Sequence, residues 1–280
     1  MRETDLTERS QQDTPPTRPR PQMRRVEVRR VDRVTPRVVR VTAAGEEMAG
    51  FATRGPAEHI RVFFPAPGQD APVLPTWGPN EPAYAEGQQR PTSRVYTPLR
   101  WDANTLELDI DFVLHGEGPG SVWSARARPG DKLAISGPGG AYQIDPSAGW
   151  YLIGGDESAL PAIATILQAL PPSTPARVFV EVAEAAEEQK LESAASLDVT
   201  WLHRGSRDGV PGQLLEAAIR DADWPAGSGR VWVGCEALVM RGIRRHLLHE
   251  RGMDRGAIHT HGYWKQGVAN HPDHDLGQDV

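Results

Sequence analysis

The sequence predicts a two-domain protein of the β plus α/β class, an antiparallel β-barrel followed by a parallel-sheet α/β domain. Three observations predict it. The chain has 280 residues, enough for two cores. Up to about residue 147 the apolar residues come in short β-like runs broken by glycine and proline, the texture of a small barrel. From about residue 148 the pattern becomes strand, turn, helix, repeated, which argues a parallel sheet with helices on both faces. The expected boundaries are a disordered arm at 1–22, the barrel at 23–147, the α/β domain at 148–267 and a polar tail at 268–280.

The arm carries Thr14-Pro15-Pro16-Thr17-Arg18-Pro19-Arg20-Pro21 and almost nothing apolar, so it cannot bury a core. Barrel strands are expected at 26–28, 38–41 and 59–65, then a Pro- and Gly-rich surface excursion over 68–91. A strand containing Ser93-Arg94-Val95-Tyr96-Thr97 follows. The cleanest alternation lies at 106–114, where every even position is apolar, predicting one buried and one solvated face. A short helix is expected at 121–127, and a last barrel strand at 132–136. In the second half, strands are expected at 150–153, 178–182, 199–202, 231–233 and 257–260. Helices are expected at 159–170, 212–220 and 236–251. Pro161 is tolerable because it sits in a first turn.

Composition excludes several classes. A net charge of −6 argues against general nucleic-acid binding. No apolar run approaches a membrane span, and the N-terminus has no apolar core of a signal peptide. The single cysteine, Cys235, excludes an internal disulfide and a four-cysteine cluster, and reads as a small buried thiol. His246, His249, His259, His261, His271 and His274 bring no cysteine partners or carboxylate cage, so no metal site is assigned. A cytoplasmic monomer is expected.

The chemistry-bearing residues cluster in three places. In an extended strand Arg94 and Tyr96 share a face, and an arginine beside an aromatic ring suits a ligand carrying phosphate and a flat ring. Gly116-Glu117-Gly118-Pro119-Gly120 leaves the first N–H groups of a helix open, either to an anion or to the capping Ser121. Gly154-Gly155-Asp156-Glu157-Ser158 is not a GxGxxG fingerprint, yet it lies between a strand and a helix, where open α/β sheets bind ligands. Asp156 and Glu157 stand equally to cap that helix.

From about Val26 to Gly267 the chain resembles the siderophore-interacting protein family, flavin-dependent ferric-siderophore reductases of ferredoxin-reductase-like layout. The residues that carry the resemblance are Arg94-Val95-Tyr96-Thr97, Asp111-Phe112-Val113-Leu114-His115-Gly116, Gly118-Pro119-Gly120-Ser121-Val122-Trp123, Gly155-Asp156-Glu157-Ser158-Ala159-Leu160-Pro161-Ala162-Ile163, Glu181-Val182-Ala183, Trp201-Leu202-His203-Arg204 and Gly262-Tyr263-Trp264-Lys265. The resemblance implies an oxidoreductase with FAD held by Arg94, Tyr96, Thr97, Asp111, Val113, His115, Gly118, Gly120, Ser121 and Val122, with Trp264 stacking on the flavin or filling the core. A second arginine is expected two residues after the threonine. Leu99 stands there, and Arg100 beside it is the expected substitute.

The resemblance further implies a reduced nicotinamide nucleotide, NADPH or NADH, at Gly155, Asp156, Glu157, Ser158, His203, Arg204 and Glu236, with Arg204 suited to a 2′-phosphate. An anionic ferric siderophore is the expected substrate, met by Arg61, Arg244, Arg245 and Lys265 or by some of them. Because the cofactor does the redox chemistry, no acid, base or nucleophile is required of the protein. The rival readings are a flavin reductase with another acceptor and a non-enzymatic carrier of iron-siderophore.

Overall fold

The computed structural model describes residues 22–77, 82–205 and 211–271, so the expected arm before Gln22 and His274 lie outside the described residues. The barrel half begins with a hairpin of β1 (Met23–Thr35) and β2 (Val38–Ala44), followed by β3 (His59–Phe64). A small hairpin of β4 (Thr76–Trp77) and β5 (Pro82–Ala83) lies within the expected excursion. Then come β6 (Thr92–Tyr96), β7 (Arg100–Asp102), β8 (Glu107–Val113), the short helix α1 (Pro119–Ser124) and β9 (Lys132–Gly139).

Seven of these strands form one antiparallel sheet in the order β6-β3-β9-β1-β2-β8-β7. Laid flat, its two edge strands would stand about 29 Å apart. Yet β6 and β7 are joined by Thr97-Pro98-Leu99 alone, a connection that reaches at most about 14 Å. The sheet therefore curls until its edges come near each other, which is the expected barrel, left open between β6 and β7. Its interior is built from Val28, Val41, Ile60, Val62, Ile110, Phe112, Leu133 and their neighbours.

Two sequence expectations need correction here. β1 is far longer than 26–28, because beyond Val28 its side chains are mostly exposed and leave no periodic apolar signal. On β8 the odd face is not solvated. Asp109 and Asp111 are 4% and 8% exposed, because Arg40, Thr42 and Arg100 close over them with hydrogen bonds.

The second half is a five-stranded parallel sheet in the order β12-β11-β10-β13-β14. Its strands are β10 (Trp150–Asp156), β11 (Pro175–Val182), β12 (Ser196–His203), β13 (Gly229–Glu236) and β14 (Ile258–Trp264). Helix α2 (Leu160–Ala169) contributes to the core on one face. Helices α3 (Gln213–Asp221) and α4 (Ala237–Arg245) pack on the other. Burial on both faces explains why β10 reads as an unbroken apolar run.

The halves are joined by polar contacts. The buried Glu187 carboxylate accepts from Thr35 Oγ1 at 2.5 Å and from the Arg37 N–H at 3.2 Å, pinning the tip of the β1–β2 hairpin to the second domain. The Ala57 N–H donates to Thr165 Oγ1 on α2 at 2.9 Å. Barrel strand β8 also lies against the turn Glu157–Ala159 that precedes α2.

Candidate functional site

The first rim of the site is the open edge of the barrel. Arg94 and Tyr96 pair in register with the core residues Val62 and Ile60, so both side chains leave the inner face of β6. Arg94 donates from Nη1 to the Ser93 carbonyl at 2.8 Å and, among the described residues, pairs with no carboxylate. Tyr96 rests 4.5 Å from Phe112, ring centroid to centroid, and burial pushes its phenol up, against the opposing effect of Arg94. Thr97 is buried beside it.

The glycine-rich loop meets this surface. A Cβ on Gly120 would stand 1.8 Å from Tyr96 Oη, so glycine there is what lets the start of α1 lie on the tyrosine. A Cβ on Gly118 would meet the His115 ring at 2.5 Å. Gly118 caps α1 without a side-chain bond, and Ser121 Oγ instead accepts the His115 N–H at 3.0 Å. That bond holds the loop in shape. Val122 is exposed on the same short helix, and Val113 ends β8 half-buried just before the loop.

Two expected members of this group are corrected. Arg100 and Asp111 leave the outer wall of the barrel, opposite to Phe112 and Tyr96. Arg100 Nε pairs with Asp109 at 2.8 Å, and Asp111 is held by Arg40 in a fork at 2.7 and 2.8 Å. Burial alone would raise the Asp109 carboxyl, but hydrogen bonds from Arg100 and Thr42 hold it below its usual range. In this arrangement Arg100, the expected substitute for an arginine at Leu99, faces away from Arg94 and is engaged by Asp109.

The second rim is the carboxyl edge of the parallel sheet. Gly155 lies within β10, where a Cβ would come within 2.9 Å of Ala159, the Gly234 carbonyl and Ile163, so its smallness serves strand and helix packing. Asp156, 1% exposed, accepts from the Ser158 N–H at 2.9 Å, from Ser158 Oγ at 2.5 Å and from the Trp264 indole at 2.8 Å. Burial pushes its carboxyl up to about 6, partly offset by the Ser158 bond. Trp264 is thus tied to the end of β10 and half-exposed at the edge. Cys235 is buried there, and burial together with Asp156, Glu236 and Glu181 raises its thiol far above the ordinary range. It is inert.

Three expected nucleotide contacts have other partners. Arg204 forks onto Glu157 and lies 3.4 Å from Glu181, so its guanidinium is not free for a 2′-phosphate. Burial by itself would lower the Arg204 pKa, and the ion pairs outweigh it. His203 Nε2 pairs with Glu188 at 2.8 Å. Glu236 is fully buried and caps α4 by accepting from the Leu238 and Val239 N–H groups, while its other oxygen accepts from Gln266 N.

The expected substrate cations scatter. Arg61 pairs in register with Val95, so it leaves the face of the sheet opposite to Arg94 and, among the described residues, donates only to Ser93 Oγ at 3.3 Å. Helix α4 runs back from the carboxyl edge, and Arg244 and Arg245 fall at its far end, about 13 Å along. Arg244 is buried there against Thr260 Oγ1, with its pKa lowered by burial and by Arg255. Lys265 follows Trp264 directly and makes no ion pair among the described residues, so it alone of the four adjoins the edge. Arg37, at the tip of the β1–β2 hairpin, was missed. Sequence places it in a turn and carries no sign that the turn reaches the ends of β11 and β12.

These residues fit FAD. An unpaired guanidinium stands beside a tyrosine at a glycine cradle, and the barrel strand leading into the cradle lies against the turn of the parallel sheet. Comparison with known proteins agrees. The family model described as a siderophore-interacting FAD-binding domain matches residues 27–142, and that of the siderophore-interacting protein matches 148–267. The ferric vibriobactin reductase of Vibrio cholerae is 33% identical over 237 residues, covering 84% of this chain and 86% of its own. The NADPH-dependent ferric-chelate reductase of Escherichia coli is 31% identical over 246 residues, covering 86% and 92%. A siderophore utilization protein from T. fusca superposes with a TM-score of 0.81 at 40% identity, covering 91% of this chain and 97% of its own. With both domain models matched in order and relatives of this identity along nearly their full length, the chain belongs to the siderophore-interacting protein family.

Proposed function

We propose that this protein is an FAD-dependent, NADPH-driven ferric-siderophore reductase that releases iron by reducing Fe(III) to Fe(II). The barrel, residues 23–147, holds FAD, and residues 148–267 receive the nucleotide. The observation that carries this reading is the junction of the two rims. The Arg94–Tyr96 face and its glycine loop adjoin the Asp156–Trp264 edge through the contact of β8 with the turn Glu157–Ala159. The names of the two reductase relatives support the same reaction.

Bound flavin supplies the conversion of one two-electron hydride into single electrons, so one NADPH reduces two ferric complexes. The chain's own residues bind and orient. Arg94 offers a fork to a phosphate, Tyr96 offers a ring edge, and the bare start of α1 offers N–H groups. Asp156 fixes Trp264, and Lys265 beside it supplies a cation for an anionic complex. The reading includes a cytoplasmic monomer, checked by fractionation and gel filtration.

The test is reconstitution. Purified protein should turn yellow with FAD, oxidise NADPH under anaerobic conditions, and release Fe(II) to a chromogenic chelator from ferric tris-catecholate or tris-hydroxamate complexes. Protein that takes up no FAD would sink the proposal. Turnover with quinones or free flavin but not with ferric complexes would favour the reductase with another acceptor.

A further inference from the structure

We infer that Arg37, a residue of the barrel domain, completes the nucleotide site and selects the 2′-phosphate of NADPH. This rests on the reduced-nicotinamide reading above. Arg37, Ala183, Glu184 and Gly205 line a cleft of about 290 Å³. Ala183 directly follows β11 and Gly205 lies two residues past β12, so the cleft sits at the carboxyl edge of the parallel sheet, beside the region where open α/β sheets bind nucleotides. The arginine expected to read the phosphate there, Arg204, is held by Glu157 and Glu181. Arg37 is exposed and its guanidinium has no partner among the described residues.

The position is also built rather than incidental. The Arg37 N–H donates to the buried Glu187, and the Arg37 carbonyl accepts from Leu114 N at 2.7 Å, one residue before His115. Both bonds use backbone, so the guanidinium is left to the cleft while the hairpin tip is fixed to both domains. Glu184 brings an acceptor into the same space. A carboxylate there favours a ribose 2′-hydroxyl and an arginine favours a 2′-phosphate, so the two side chains compete to set the preference. Arg37 reaches the cleft only when the barrel is docked on the sheet, which makes nucleotide choice a property of the two-domain assembly.

The experiment uses the full chain and calorimetric binding of 2′,5′-ADP and 5′-AMP, with no turnover required. Arg37→Ala should weaken 2′,5′-ADP by about 10- to 100-fold and leave 5′-AMP within about twofold. Arg37→Lys should recover part of the loss, and Glu184→Gln should strengthen 2′,5′-ADP by removing a like charge. Equal loss for both nucleotides, or none for either, overturns the inference while leaving the nucleotide reading intact. A wild-type protein that binds neither nucleotide and does not oxidise NADPH overturns both. Matching thermal melts for Arg37→Ala and wild type confirm that the variant is folded.

Discussion

The outer wall of the barrel and the carboxyl edge of the parallel sheet handle charge in opposite ways. On the wall each acid has its own arginine: Asp111 has Arg40 and Asp109 has Arg100, aided by Thr42. At the edge Asp156, Glu157, Glu181 and Glu236 are all buried, and Arg204 is the cation that pairs with two of them. The rest of their bonding comes from backbone N–H groups, Ser158 and the Trp264 indole. Glu181 accepts from Gly212 N at 2.6 Å and Leu215 N at 3.0 Å, at the start of α3. Acids on the wall hold an arginine each, whereas at the edge Glu157 and Glu181 share Arg204 while Glu181, Glu236 and Asp156 also hold helix starts and an aromatic ring. The difference teaches that a charged residue in a motif becomes available to a ligand where tertiary packing leaves it without a counter-charge among the described residues, as at Arg94.

The largest effect should come from Glu181. Removing it as Glu181→Ala leaves Arg204 half-paired and the start of α3 uncapped, and should cost about 3–5 kcal/mol in denaturant unfolding. A loss no larger than that of Asp111→Ala would erase the contrast between edge and wall.

Asp156 comes next. Its folded carboxyl, near 6, lies above the ordinary 3.8 of an aspartate, so its contribution to stability is fully present below about pH 4. That contribution is lost as pH rises through 6. The melting advantage of wild type over Asp156→Asn should therefore shrink between pH 4 and 7, by the equivalent of about 2–3 kcal/mol. A constant difference across that range would show that the edge does not hold a strained charge.

Arg94→Ala should weaken FAD binding about 10- to 100-fold by flavin fluorescence, because it removes a charge-assisted fork. Arg100→Ala should leave FAD affinity within about twofold and cost about 1–3 kcal/mol of stability, because it takes a partner from the buried Asp109 carboxylate. Equal effects would return Arg100 to the site. Gly120→Ala should lower stability by about 1–3 kcal/mol through its contact with Tyr96 Oη, and adding Tyr96→Phe should recover part of that loss in a double-mutant cycle.

Much of the fold could be read from the residues. The period-two run over 106–114 and the apolar run of β10 placed the barrel and the sheet, because periodicity follows directly from which faces are buried. β7 was missed since three residues carry no period. The helix expected at 236–251 is α4 continued by a π-helical turn to Glu250, with Glu236 as its cap. The residues brought into the site, Arg94, Tyr96, the Gly118–Gly120 loop, Asp156 and Trp264, were all legible as local motifs. Arg37 was not, because its place depends on a docked hairpin.

The sequence by itself determined the order of the two domains, most of their strands and helices, and the motifs that mark the family. Those depend on local periodicity and on residues close together in the chain. Only the tertiary structure decided which charges are spent and which are free. Arg100 lies six residues from Arg94 and Arg204 lies inside a family motif, yet both are neutralised by acids from other strands or turns. Arg37 comes from a different domain than the cleft it faces. Pairing of that kind depends on which side of a strand faces which neighbour after folding, and no spacing along the chain encodes it.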